Sequence, residues 1–175
     1  VRIMGGFISA IGALAEKLSN YKIIIRPHPS EKMSLYQDLF TCYENVTVNK
    51  SGEVRPWIMA SNAVVHNSCT TGVTAALLGT PVYAHKPQDL AVSTVPNQVS
   101  ETTTSISELV DGLNRAIDLN ADYNLTEEQI HALKPHIDNI DHLAVEKISD
   151  IVESSEGKNN NKIDRHFSPS FKHII

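Results

Sequence analysis

The chain has 175 residues, 41% of them hydrophobic, and a formal net charge of −5. That is enough for one ordinary domain with a core, and because Lys and Arg are scattered there is no basic footprint for nucleic acid or an anionic membrane surface. Cys42 and Cys69 are too few for a disulfide framework and lack metal-ligand spacing, which suits a reducing cytoplasm; no apolar run approaches the roughly 20 residues of a membrane span, and no signal-peptide pattern opens the chain.

The chain starts at Val1, without an initiator Met, and reads as a piece of something longer. Ile8, Ile11, Leu14 and Leu18 form a helical stripe that needs a sheet to pack on. Tyr21 to Arg26 holds three consecutive isoleucines, a β-branched run of the kind buried in parallel sheets, and the turn Arg26-Pro27-His28-Pro29 closes it. Ser30 to Tyr43 predicts a helix with Leu35, Leu39 and Tyr43 on one face and Ser30 or Ser34 as its cap. Val46 to Val48 predicts a short strand. Pro56 fits the first turn of a short helix holding Trp57, Ile58 and Met59.

Residues 62–81 predict a strand, Ala63 to His66, then a hydroxyl-rich turn and a small-residue helix ended by Gly79. Ser68, Thr70 and Thr71 supply hydroxyls, Gly72 lets backbone approach closely, and the helix's first N–H groups would share one anion. A phosphate or diphosphate is the expected ligand. Pro81 to Ala84 predicts the next strand. Gln88 to Thr104, containing Val95-Pro96-Asn97, reads as an extended site loop. Ser105 with Glu108 and Thr126 with Gln129 have capping-box spacing, opening helices that carry Leu109, Leu113 and Ile117, then Ile130 and Leu133. Pro135 divides the region before a last stripe, Ile140, Ala144, Ile148 and Ile151. A polar stretch from Ser154 to Asn161 predicts disorder.

Strands alternating with helices imply a parallel sheet, since parallel neighbours need crossover connections. The expected architecture is α/β, a doubly wound, Rossmann-like domain over residues 1–152 with a flexible tail at 153–175. Ligands of such sheets bind beyond the carboxyl ends of the strands, where His28 and Ser68 both fall.

Three segments in order, Arg-Pro-His-Pro-Ser-Glu at 26–31, Pro-Trp-Ile-Met-Ala-Ser at 56–61 and His-Asn-Ser-Cys-Thr-Thr at 66–71, together with Val95-Pro96-Asn97, resemble the C-terminal half of bacterial surface carbohydrate biosynthesis proteins. These are similar in turn to the GT-B glycosyltransferases that include capsular Kdo transferases and bacterial sialyltransferases. The resemblance spans about residues 20–152. It implies a CMP-activated acidic sugar as donor, His28 at the donor phosphate or aiding departure of the nucleotide, and Ser68 and Thr70 on that same phosphate. It further implies a glycan or glycolipid acceptor, a general base on a separate N-terminal GT-B domain, and a cytoplasmic enzyme at the inner face of the membrane through the rest of the protein. This chain alone should bind but not transfer. The Ser/Thr pair of those relatives is adjacent, whereas Cys69 separates Ser68 from Thr70, so either Ser68 with Thr70 or Thr70 with Thr71 could form the pair.

The chemistry agrees with that reading. Breaking a sugar–phosphate bond leaves charge on the phosphate, and fixed donors placed where charge develops stabilise the transition state. A histidine can also protonate the departing oxygen. No Asp-x-Asp occurs in the chain, so protein donors rather than a metal are expected to meet the phosphate.

Structural roles stand beside the functional ones. His28 could only cap a strand end, and Arg26 could pair with Glu31 instead of clamping phosphate. His66, at the end of an apolar strand, reads first as a buried, satisfied histidine that orients the Ser68 turn, and second as a donor contact. Ser68 could be an N-cap, Glu53 a loop acid or a contact to base or ribose, Trp57 a core residue or a stacking platform, and Asn97 a loop former or a sugar contact. Two other functions fit the same fold: a UDP-sugar or CDP-glycerol transferase or an epimerase-like enzyme, and a non-catalytic nucleotide-binding or assembly module.

Overall fold

The computed structural model describes residues 2–87, 94–119, 123–137 and 149. The chain divides into two units, Val1–Ile137 and Asp138–Ile175, and the fold that follows is that of the first. The expected stripe from Ile140 to Ile151 and the expected tail lie outside the described residues.

Short segments rich in β-branched residues supply most of the strands. β1 (Ile23–Ile25) pairs in parallel with β2 (Val46–Val48), Ile23 opposite Val46 and Ile25 opposite Val48. β3 (Val64–His66), β4 (Val82–His85) and β5 (Glu101–Thr103) form a second parallel sheet, with Val65 opposite Tyr83 and Ala84 opposite Thr102. Helices make the crossovers that parallel pairing demands: α2 (Met33–Phe40), α3 (Val54–Met59), α4 (Thr71–Leu77) and α5 (Val95–Gln98), with α1 (Arg2–Lys17) before β1, and α6 (Ile106–Leu119) and α7 (Glu127–Leu133) after β5. The single sheet expected from sequence is thus replaced, among the described residues, by two sheets, β1-β2 and β3-β4-β5.

Alternation along β4 decides what each face meets, because successive side chains of a strand point to opposite sides. Tyr83 points toward α1 and α6, joining Ala10, Leu14, Leu18, Leu109, Leu113 and Ala116 in one core cluster, and its hydroxyl donates to Gly112 O at 2.7 Å. Ile23 of β1 and Val65 of β3 pack on that same cluster. His66 points the other way, against Gly72 of α4. The three-stranded sheet is therefore covered by helices on both faces, and all four residues of β4 are buried. A second cluster of Ile25, Tyr36 and Phe40, flanked by Ile8 and Ile11 of α1, covers β1 and β2.

Three local expectations need correction. The buried face of α2 is Tyr36 and Phe40, while Leu35 and Leu39 are about two-fifths exposed; the larger aromatic pair, offset by one residue, takes the core. Neither Ser30 nor Ser34 caps α2, whose N-cap is Lys32 without a side-chain bond. The stretch read as an extended loop before Thr104 contains α5 and β5: Pro96 starts a helical turn, and polar Glu101-Thr102-Thr103 pairs as a strand because β4 leaves an edge to be filled. Both capping boxes are present, at Ser105/Glu108 and Thr126/Gln129, and Gly79 ends α4 with φ +73°.

Candidate functional site

The turn leaving β3 is built around a residue in a conformation that L-amino acids resist. Ser68 has φ +55°, a left-handed geometry costing about 1–2 kcal/mol for a residue with a Cβ. The Asn97 side chain offsets that cost. Its Oδ1 accepts the Ser68 N–H at 3.1 Å, and its Nδ2 donates to Ser68 Oγ at 2.9 Å. Asn67 donates to His85 O at 3.0 Å, tying the same turn to the end of β4.

His66 supports the turn from below. The Cys69 N–H donates to Nδ1 at 3.3 Å, which makes Nδ1 the acceptor and leaves the proton on Nε2. Nε2 donates to Ser100 Oγ at 2.8 Å, and Ser100 Oγ donates to Pro96 O at 2.6 Å. The ring is 5% exposed, and burial pushes its pKa down to about 4, so it is neutral at physiological pH. With both nitrogens engaged by the protein, His66 orients the turn and does not face a ligand.

Gly72 is buried against His66, where a Cβ would overlap Nε2. Its missing side chain serves helix–strand packing instead of the close ligand approach expected of it. Helix α4 has seven residues, and the amides of Gly72 and Thr74 already donate to Cys69 O and Thr70 O. The expected fan of unused amides is correspondingly reduced. Thr71 Oγ1 accepts the Cys69 thiol at 3.3 Å. Ser68 and Thr70 are exposed, and Thr70, the N-cap, makes no side-chain cap bond. Ser68 and Thr70 are thus the more exposed of the three, and Thr71 is half-buried.

A second cluster lies at the carboxyl ends of β1 and β2, where the parallel register brings the two exits side by side. Arg26 donates to Ser51 O at 3.0 Å and Gly52 O at 2.9 Å while stacking over Trp57, its carbon Cζ 5.3 Å from the ring centre. Lys50 reaches back, its Nζ donating to His28 O at 2.9 Å and Glu31 O at 2.5 Å. Each strand's cation thus holds the other strand's loop. Arg26 is spent on carbonyls and is neither a ready phosphate clamp nor a partner of Glu31, whose carboxylate takes the His28 N–H at 2.8 Å. Trp57 is a platform for Arg26. Glu53 is exposed and pairs with Arg55 at 3.4 Å.

His28 is exposed. Its Nδ1 accepts the Ser30 amide at 3.2 Å and sits 2.6 Å from Ser30 Oγ, so the neutral ring carries its proton on Nε2. Nε2 has no partner among the described residues and is available as an outward donor.

The fold brings Ser68, Thr70, Thr71, Gly72, His66 and Asn97 together, and separately gathers Arg26, His28 and Glu53. No hydrogen bond between described residues joins the two groups. Sequence reasoning did not single out Ser30, Lys50 or Ser100 as supports of these turns. Ser30 had a local signal, a hydroxyl two residues past the histidine; Lys50 and Ser100 act across 22 and 34 residues of sequence, which no local pattern reveals. Among the described residues no three His, Cys, Asp or Glu side chains converge as a metal-ligand group, and no helix is long and apolar enough to cross a membrane.

Comparison of the chain with protein-family models, with curated proteins and with solved structures finds no match in any of the three.

Proposed function

We propose that this chain is the nucleotide-sugar donor-binding domain of a glycosyltransferase of doubly wound, GT-B type that acts in bacterial surface-polysaccharide biosynthesis, with a CMP-activated acidic sugar as donor. One observation carries the reading. The His28 imidazole and the Ser68/Thr70 hydroxyls stand exposed just past the carboxyl ends of parallel strands, on turns that protein hydrogen bonds already hold. Donors fixed in advance are what a departing nucleotide phosphate requires, since no reorganisation remains to be done as charge develops. His28 donates a hydrogen bond from Nε2 that stabilises the leaving phosphate, and Ser68 and Thr70 bind its oxygens.

The carboxylates beside these turns are otherwise engaged, Glu31 by an amide and Glu53 by Arg55. A base for the acceptor hydroxyl therefore comes from an acceptor-binding GT-B domain in this reading, and the domain by itself binds without transferring. The same observation sustains a second reading, a nucleotide-binding module without catalysis, if no such domain accompanies it.

Calorimetric titration with CMP, UDP and CDP tests the proposal. Preference for CMP, weakened about tenfold or more by His28→Ala and by Ser68→Ala, is the expected result. Preference for UDP would replace the donor, and no binding by a folded chain would remove the proposal.

A further inference from the structure

We propose that Asn97 is a positioning residue that turns the Ser68 O–H outward, so that the turn after β3 presents a fixed hydrogen-bond donor to an oxyanion. The inference rests on the nucleotide-donor reading for the source of that oxyanion, a phosphate oxygen.

A serine hydroxyl has one proton and two lone pairs and ordinarily rotates to suit its neighbour. Here rotation is constrained. Asn97 Nδ2 donates into one lone pair of Ser68 Oγ at 2.9 Å, while Oδ1 of the same amide accepts the Ser68 N–H at 3.1 Å. Flipping the amide would set its NH2 against that N–H and lose the bond, so the Ser68 N–H fixes the orientation. Because Asn97 is a donor toward Oγ, the Ser68 proton points away from it. No other described residue accepts that proton, and Ser68 is exposed. The Ser68 amide, being spent on Oδ1, cannot serve a ligand, which leaves the hydroxyl, with its proton turned outward and one lone pair free, as what this residue offers.

Asn97 itself is 7% exposed, too buried to be the sugar contact it resembles in sequence. Its backbone is held by its own N–H to Thr94 O at 2.9 Å and by the Ser100 N–H on Asn97 O at 3.3 Å. The amide is thus a rigid support presented by α5 to the turn of β3. A second tether joins the same segments, His66 through Ser100 to Pro96, but it does not touch Ser68. The two tethers let orientation of the hydroxyl be separated from mere attachment of α5.

The test is a double-mutant cycle read by calorimetric titration with CMP and with inorganic pyrophosphate, alongside thermal unfolding. Ser68→Ala and Asn97→Ala should each weaken binding about tenfold or more, and the double variant should bind no worse than Ser68→Ala alone. Ser100→Ala, which releases the other tether, should lower Tm yet keep affinity within about twofold. Asn97→Asp guards against a misfolded Ala variant: it still accepts the Ser68 N–H, but its second oxygen takes the Ser68 proton and turns it inward, so binding should fall at least as far as in Ser68→Ala. Additive losses, undiminished binding in Asn97→Ala or Asn97→Asp, or an equal loss in Ser100→Ala would overturn the positioning role while leaving nucleotide binding in place. Failure of the folded wild-type chain to bind either probe would overturn both.

Discussion

His66 shows what burial does to a single residue. Its neutral imidazole accepts at Nδ1 and donates at Nε2, and protonating Nδ1 would remove the bond from the Cys69 amide. In the folded protein it takes up a proton only near pH 4, against 6.5 when exposed. The unfolded chain therefore binds more protons between those values, and stability falls as pH drops from about 6.5 to about 4, then levels once the folded state is protonated too. A depression of that size corresponds to roughly 3 kcal/mol. Burial lowers the His85 pKa with the same sign, so the wild type should be compared with His66→Asn, whose Oδ1 can replace the Nδ1 acceptor without titrating. Urea unfolding across this range should show a distinctly shallower pH dependence in the variant; identical slopes would contradict the assignment.

Helix α2 shows how element and face are separate problems. The helix itself was legible because apolar residues recur at helical spacing, but two stripes one residue apart satisfied that spacing, Leu35/Leu39 and Tyr36/Phe40. Only contact with Ile25, Val46 and Val48 selects the aromatic one. Phe40→Ala should cost about 3–5 kcal/mol, whereas Leu39→Ala at its exposed position should stay within about 1 kcal/mol, both read by chemical denaturation. Comparable losses would mean that the helix is rotated. Strand β5 is the opposite case: Glu101-Thr102-Thr103 has no apolar run to announce it, and pairing with β4 defines it.

Across the whole of the first unit, the two loop clusters are held by separate hydrogen-bond sets. Lys50 and Arg26 lock the exits of β1 and β2 to each other, and Asn97 and Ser100 lock α5 to the exit of β3. Lys50→Met should loosen only the first, speeding hydrogen exchange at the Glu31 amide, which bonds His28 O, without changing exchange at the Ser68 amide. Its stability cost, about 1–2 kcal/mol, should add to that of Asn97→Ala within about 0.5 kcal/mol. A larger coupling would show that the clusters communicate. By itself the sequence determined the α/β alternation, four of the five strands, the Gly79 stop, both capping boxes and the turns bearing His28 and Ser68, because each is written in spacing over a few residues. Only the tertiary structure decided that Arg26 is consumed by loop carbonyls, that Gly72 makes room for His66, that Asn97 holds Ser68 rather than a ligand, and which way the Ser68 proton points. Those outcomes depend on which groups meet in space: the Gly72 contact needs helix to pack on strand, and the hydrogen bonds of Arg26 and Asn97, spanning 25 and 29 residues, leave no period in the chain.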